Sequence, residues 1–153
     1  MRDGARVEDY FHAVLRYESG PHAPLRLVLH ATTLAAHAAP RYIVHGTRGS
    51  YVKHGVDTQE DALRAGQRPP AEGWGADPLD GELTLVGSDG APHFRAVPTQ
   101  AGNYADYYAA VRDAILGKGP NPVPPAQAVA LMELLDIGRQ SAAEGRAIRI
   151  ERP

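Results

Sequence analysis

Residues 41–66 read RYIVHGTRGSYVKHGVDTQEDALRAG, and this stretch decides the fold because it holds two strands, a turn, a helix start and a helix stop. Tyr42, Ile43 and Val44, then Tyr51 and Val52, are β-prone, so Gly46-Thr47-Arg48-Gly49 between them predicts a hairpin turn whose glycines supply positive φ. Asp57 offers a side-chain oxygen to an amide that a helix start leaves unbonded, and Glu60 stands where it can reach back. DTQE therefore predicts a capping box for a short helix that stops at Gly66.

Working outward toward the N-terminus, residues 10–17 set Phe11, Ala13, Leu15 and Tyr17 against His12, Val14 and Arg16. A period of two predicts a strand. Leu25–Leu34 repeats the alternation, and the two runs, separated by Glu18-Ser19-Gly20-Pro21, pair naturally as antiparallel neighbours. Pro40 has no amide to give a ladder and is placed at the entry of the next strand.

Working toward the C-terminus, residues 67–80 carry Pro69-Pro70, Gly73, Gly75 and Pro78, which break helix and strand alike. A surface loop anchored by Trp74 is predicted there. Residues 81–86 and 93–97 read as two more strands around the turn Ser88-Asp89-Gly90. From Asn103 the period changes, with Tyr104, Tyr107, Tyr108, Val111 and Ile115 at helical spacing up to Gly117. Pro124-Pro125 can open a second long helix, whose buried stripe is Val129, Met132, Leu135 and Ile137, with Gly145 as its stop and 147–150 as a last short strand. Strands followed by helices predict an α+β fold: a mostly antiparallel open β-sheet of about six strands, with two C-terminal helices and one short helix packed on one face.

The 153 residues fit a single domain spanning 1–153. A formal charge of −2, spread without a basic block, excludes the electrostatics of nucleic-acid binding. No apolar run approaches the roughly 20 residues of a membrane helix, and the first residues are charged rather than signal-like. With no cysteine there is neither disulfide nor thiolate chemistry, and the cytoplasm is the expected compartment.

The pattern HGT-x-GS-x-x-K-x-G-x-D-x-QE-x-x-L-x-x-G over 45–66, followed by Trp74-Gly75, is long and irregular. It resembles the C-terminal domain of the Gfo/Idh/MocA oxidoreductases, the glucose-fructose oxidoreductase and inositol dehydrogenase family. Gly102-x-Tyr104-x-x-Tyr107-Tyr108, Asn121-Pro122-Val123, Ser141 and Gly145 extend the resemblance over nearly the whole chain. It implies a sugar, polyol or related hydroxy or keto substrate, NAD or NADP in the full-length enzyme, and a homo-oligomer formed through the sheet.

The dinucleotide fingerprint G-x-G-x-x-G is absent: Gly73-x-Gly75 runs into Pro78, and Gly117-x-Gly119 into Pro122. The Glu-Lys-Pro lysine motif that the family carries on its cofactor side is also missing. The chain is therefore expected to be the substrate and oligomerisation part of a longer oxidoreductase. Its NAD(P)-binding domain lies outside the chain, Met1 is either an introduced start or an internal methionine, and the piece is inactive alone. It would hold no catalytic or cofactor-binding residue and no metal.

The substrate-side candidates are Lys53, Asp57 and Trp74. Lys53 closes the second hairpin strand and is read either as a solvated strand-end lysine or as a substrate contact. Asp57 is accounted for by its cap, and Gln59 and Glu60 by the helix start. Trp74 can stack on a sugar or pin its loop to the sheet. The seven histidines contain no H-E-x-x-H pattern, and His30 with His37, or His45 with His54, would have to be assembled by the fold with a carboxylate to make a two-histidine metal site; His45 is read as a hydrogen-bonded strand histidine. Two rivals stand: a free-standing α+β binding or dimerisation module, and a small hydrolase or isomerase using His45 or His54 as base.

Overall fold

The computed structural model describes residues 7–69 and 72–151. Met1, and Pro70 of the predicted loop, lie outside the described residues. The chain divides into two compact units, one of residues 1–38 with 123–153 and the other of residues 39–122. The fold is α+β, with six antiparallel strands and three helices among the described residues. The strands fall into two sheets, of two and of four, rather than one run. None of the described helices is long and apolar enough to cross a membrane.

In the first unit, strands β1 (Tyr10–Arg16) and β2 (Arg26–Thr32) pair antiparallel in the register Phe11↔Ala31, Ala13↔Leu29, Leu15↔Leu27. The predicted alternation is thus realised as a ladder, its apolar residues opposite one another. Helix α3, the last in the chain (Pro125–Glu144), opens on a proline, whose missing amide costs nothing in the first turn, and closes on Gly145 at φ 62°. The Ser141 hydroxyl donates to the Arg146 carbonyl at 2.7 Å, tying the last turn to the chain beyond the glycine. Arg139 Nε donates to Glu8 Oε1 at 3.0 Å, joining the helix to the residues ahead of β1. Residues 147–150, predicted as a strand, run without strand pairing.

In the second unit, β3 (Tyr42–Gly46), β4 (Gly49–Lys53), β5 (Gly81–Val86) and β6 (Pro92–Val97) form an antiparallel meander in chain order. The hairpin at 46–49 forms as predicted, but not for the predicted reason. Gly46 and Gly49 are its last pair, and neither has positive φ. Gly49 is needed for clearance instead, because a Cβ there would lie 2.5 Å from the Thr84 carbonyl oxygen of the neighbouring strand. Helix α1 (Gln59–Arg64) follows β4, and α2 (Tyr104–Ile115) follows β6 with Asn103 Oδ1 accepting the Ala105 amide at 3.1 Å.

Among the described residues no apolar side chain is fully buried. The side chains most removed from solvent are polar ones of the second unit, Lys53 at 7 % exposure and Gln59 at 0 %.

Candidate functional site

The two buried polar side chains mark the place where the end of β4, the start of α1, residues 72–79 and the start of α2 meet. Gln59 stands at its centre. Its Nε2 donates to both oxygens of Asp57, at 3.0 and 2.9 Å, while its Oε1 accepts from Trp74 Nε1 and from the Tyr104 backbone amide, each at 2.8 Å. A carboxamide offers two N–H donors on one side and an oxygen with two lone pairs on the other, so it can join a carboxylate to two N–H donors with none left over. Full satisfaction is what makes complete burial of such a group affordable.

Asp57 also accepts the Gln59 backbone amide at 2.8 Å. The expected cap therefore exists as an Asx-type turn onto the second residue ahead, with the helix starting at Gln59 after Thr58. The reach-back from Glu60 does not form: Glu60 pairs instead with Arg64, one turn along. Thr58 Oγ1 donates to the Ala76 carbonyl at 3.1 Å, a second tie between the helix start and the Trp74 loop.

A second knot lies beside the first. Lys53 Nζ donates to Asp77 Oδ2 at 2.6 Å and to the His54 carbonyl, and Asp77 Oδ1 accepts the Leu79 amide at 2.9 Å. The reading of Lys53 as a solvated strand-end lysine is corrected: its ammonium is turned inward, where a carboxylate and a carbonyl replace the water it gives up. The hydrogen bond from Lys53, then that from the Leu79 amide, hold the Asp77 carboxyl below the usual aspartate range.

Two glycines make the approach possible. The Gly102 amide donates to the Gly75 carbonyl at 3.0 Å, and Gly75 sits at φ 70°. A Cβ on Gly75 would collide with the Gly102 carbonyl, and one on Gly102 would collide with Asp57 and lie 2.6 Å from Gln59 Nε2. Only bare backbone fits at either position.

Lys53, Asp57 and Trp74, separated in sequence, are thus brought into one neighbourhood, each with its polar group engaged inside the protein. The residues that join them, Gln59 and Asp77, were not among the candidates. Gln59 was legible as a helix-start residue, and the signal for more was its amide, which can bond in both directions. For Asp77, a charge in a Gly/Pro loop with its partner 24 residues away, spacing carried no signal. His45 Nδ1 lies 2.9 Å from Ser50 Oγ, its partner across the hairpin, the hydrogen-bonded strand histidine expected.

With this geometry in hand, similarity to known proteins is informative. Residues 1–150 match the family described as "Oxidoreductase family, C-terminal alpha/beta domain". The chain is 50 % identical over 142 residues to the uncharacterized oxidoreductase YdgJ of Escherichia coli, covering 93 % of this chain and 39 % of that protein. It is 33 % identical over 154 residues to scyllo-inositol 2-dehydrogenase (NADP(+)) IolW of Bacillus subtilis, covering 99 % and 41 %. The structure of the candidate oxidoreductase YPO2259 of Yersinia pestis superposes with a TM-score of 0.90 at 47 % identity, over 100 % of this chain and 42 % of that one. The chain thus spans about two-fifths of the length of the relatives it matches.

Proposed function

We propose, from the premise that this chain belongs to the Gfo/Idh/MocA oxidoreductase family as a C-terminal alpha/beta domain, that it is the substrate-side and assembly part of an NAD(P)-dependent oxidoreductase. The substrate is a sugar, polyol or related hydroxy or keto compound, and the name of the IolW relative, an inositol dehydrogenase using NADP(+), supports that class. The nicotinamide cofactor, NAD or NADP, is held by a domain outside residues 1–153, and the chain alone transfers no hydride. The observation that carries this reading is the family match over residues 1–150, made by a chain that spans only about two-fifths of its relatives.

Within that role, Lys53, Asp57 and Trp74 shape the substrate-side wall as positioning residues. Their polar groups are spent on Asp77, Gln59 and the His54 carbonyl, so they set the backbone that faces substrate and leave direct contact to other groups. The four-stranded sheet supplies the assembly surface. Phe94 on its edge strand β6 is 77 % exposed, and Ile43, on the same face of the opposite edge strand by register, is exposed as well, the kind of apolar surface that a partner covers. The cytoplasm is the compartment in which this enzyme works.

The test is direct. The full-length protein containing this chain is assayed for NAD(P)-linked oxidation of a polyol and sugar panel beside the isolated chain. Turnover is expected from the former only, and turnover by the isolated chain refutes the reading.

A further inference from the structure

The register of the β1–β2 ladder places His12 directly opposite His30. The Thr33 amide donates to the Asp9 carbonyl at 2.9 Å, and the Tyr17 amide to the Leu25 carbonyl at 3.0 Å. These bonds make the odd-numbered rungs the hydrogen-bonded ones. His12 and His30 therefore share a non-hydrogen-bonded rung, where strands bring their side chains closest, with Cα atoms about 4.5 Å apart. Their rings stand 5.8 Å apart, centroid to centroid, at 80°. Tyr10, two rungs along and so on the same face, packs edge-on against His30 at 5.3 Å.

Both histidines are solvent-exposed, and neither shares a hydrogen bond or an ion pair among the described residues, in contrast to His45, which is engaged by Ser50. Two imidazoles that bind one tetrahedral ion through nitrogens at about 2.0–2.1 Å bring their centroids to roughly 5 Å. The observed 5.8 Å spacing lies close to that value, and the edge-to-face rings must turn to aim one nitrogen each at a shared ion. Neutral imidazole suits zinc, nickel and copper among the divalent ions.

We propose that His12 and His30 form a two-point site for a divalent cation of the zinc, nickel or copper class, clamping strand β1 to β2 across the hairpin. Among the described residues no group of three or more metal-type side chains gathers, so water fills the remaining coordination positions. The clamp has a physical consequence. A two-stranded ladder is marginal alone, and a cation that binds only the paired strands stabilises them by mass action. Neither histidine belonged to a pair that the spacing singled out together, since His30 was matched there with His37.

The experiment uses the untagged 153-residue chain, Zn2+ as chloride for calorimetric titration, and Cu2+ for paramagnetic broadening of imidazole resonances. One equivalent of Zn2+ is expected to bind, with affinity falling roughly tenfold or more in His12→Asn and in His30→Asn, because each leaves a single ligand without its chelate partner. His45→Asn and His54→Asn are expected to bind like the parent. Substoichiometric Cu2+ is expected to broaden His12 and His30 of the unsubstituted chain first, a readout independent of how the variants fold. Absence of saturable Zn2+ uptake, undiminished binding in both variants, or first broadening at other histidines overturns the site.

Discussion

The indole Nε1 of Trp74 donates to the side-chain oxygen of Gln59 at 2.8 Å, and that same oxygen accepts the backbone amide of Tyr104. One buried carboxamide therefore couples the Gly/Pro-rich loop, the start of α1 and the start of α2. The chain holds a single tryptophan, so its fluorescence reports on this junction and nothing else.

Replacing Gln59 by leucine keeps most of the volume and removes every hydrogen bond of the carboxamide. The Trp74 and Tyr104 N–H donors then lose their acceptor, at about 1–3 kcal/mol for each that stays dry. Urea denaturation followed at Trp74 is expected to show Gln59→Leu less stable by about 2–4 kcal/mol, with red-shifted emission before unfolding. A midpoint and spectrum equal to the parent's would contradict the hub.

Acid is expected to loosen the same junction. The Asp77 carboxyl is held below its ordinary range in the folded chain, first by the hydrogen bond from Lys53. The stability it contributes is complete above the ordinary aspartate value of about 3.9 and is lost as pH falls below that through the depressed folded value. Glu8, lowered first by the hydrogen bond from Arg139, acts with the same sign in the first unit. Trp74 fluorescence should change below about pH 4, and Asp77→Asn should bring the loosened spectrum to neutral pH. An unchanged neutral-pH spectrum in Asp77→Asn would show that the Lys53 pairing does not hold the loop.

Glycine substitutions separate clearance from propensity. Gly75→Ala and Gly102→Ala each drive a methyl into backbone or into Asp57 and should lower the thermal midpoint of the second unit. Gly138 lies inside α3 with open space around its Cβ position, so Gly138→Ala should stabilise the helix by about 0.5–1 kcal/mol. Calorimetry of the three variants tests the contrast, and equal effects would remove the close-approach argument.

Assembly through the sheet predicts that light scattering finds a dimer or larger species. Ile115 on α2 is 79 % exposed but does not belong to the sheet. Phe94→Asp should therefore shift the chain toward monomer while Ile115→Asp leaves its state unchanged. A monomer at all concentrations, or dissociation by Ile115→Asp alone, would place the assembly surface elsewhere.

Much of this architecture was readable from the order of residues, and the exceptions have physical causes. Period-two alternation in 10–17 and 25–34, the turn residues between 81–86 and 93–97, and helical spacing from Asn103 onward are local signals, which sequence pattern encodes well. Partition of the strands into two sheets depends on pairing between distant segments, which alternation does not encode. Gly49 was placed in the turn by type, but its role arises from Thr84 on another strand. Residues 147–150 have strand-like composition but form no strand pairing among the described residues. At the candidate site Lys53, Asp57 and Trp74 stood out by residue type, whereas the partners that define their roles, Asp77 and Gln59, are supplied by tertiary contact.

The central claim, that cofactor chemistry resides outside these residues, is tested most directly by titrating NADH and NADPH into the isolated chain. Nicotinamide fluorescence and energy transfer from Trp74 are the two readouts. Both are predicted to stay flat through the millimolar range that a missing site implies, and saturation at micromolar concentration would contradict the account.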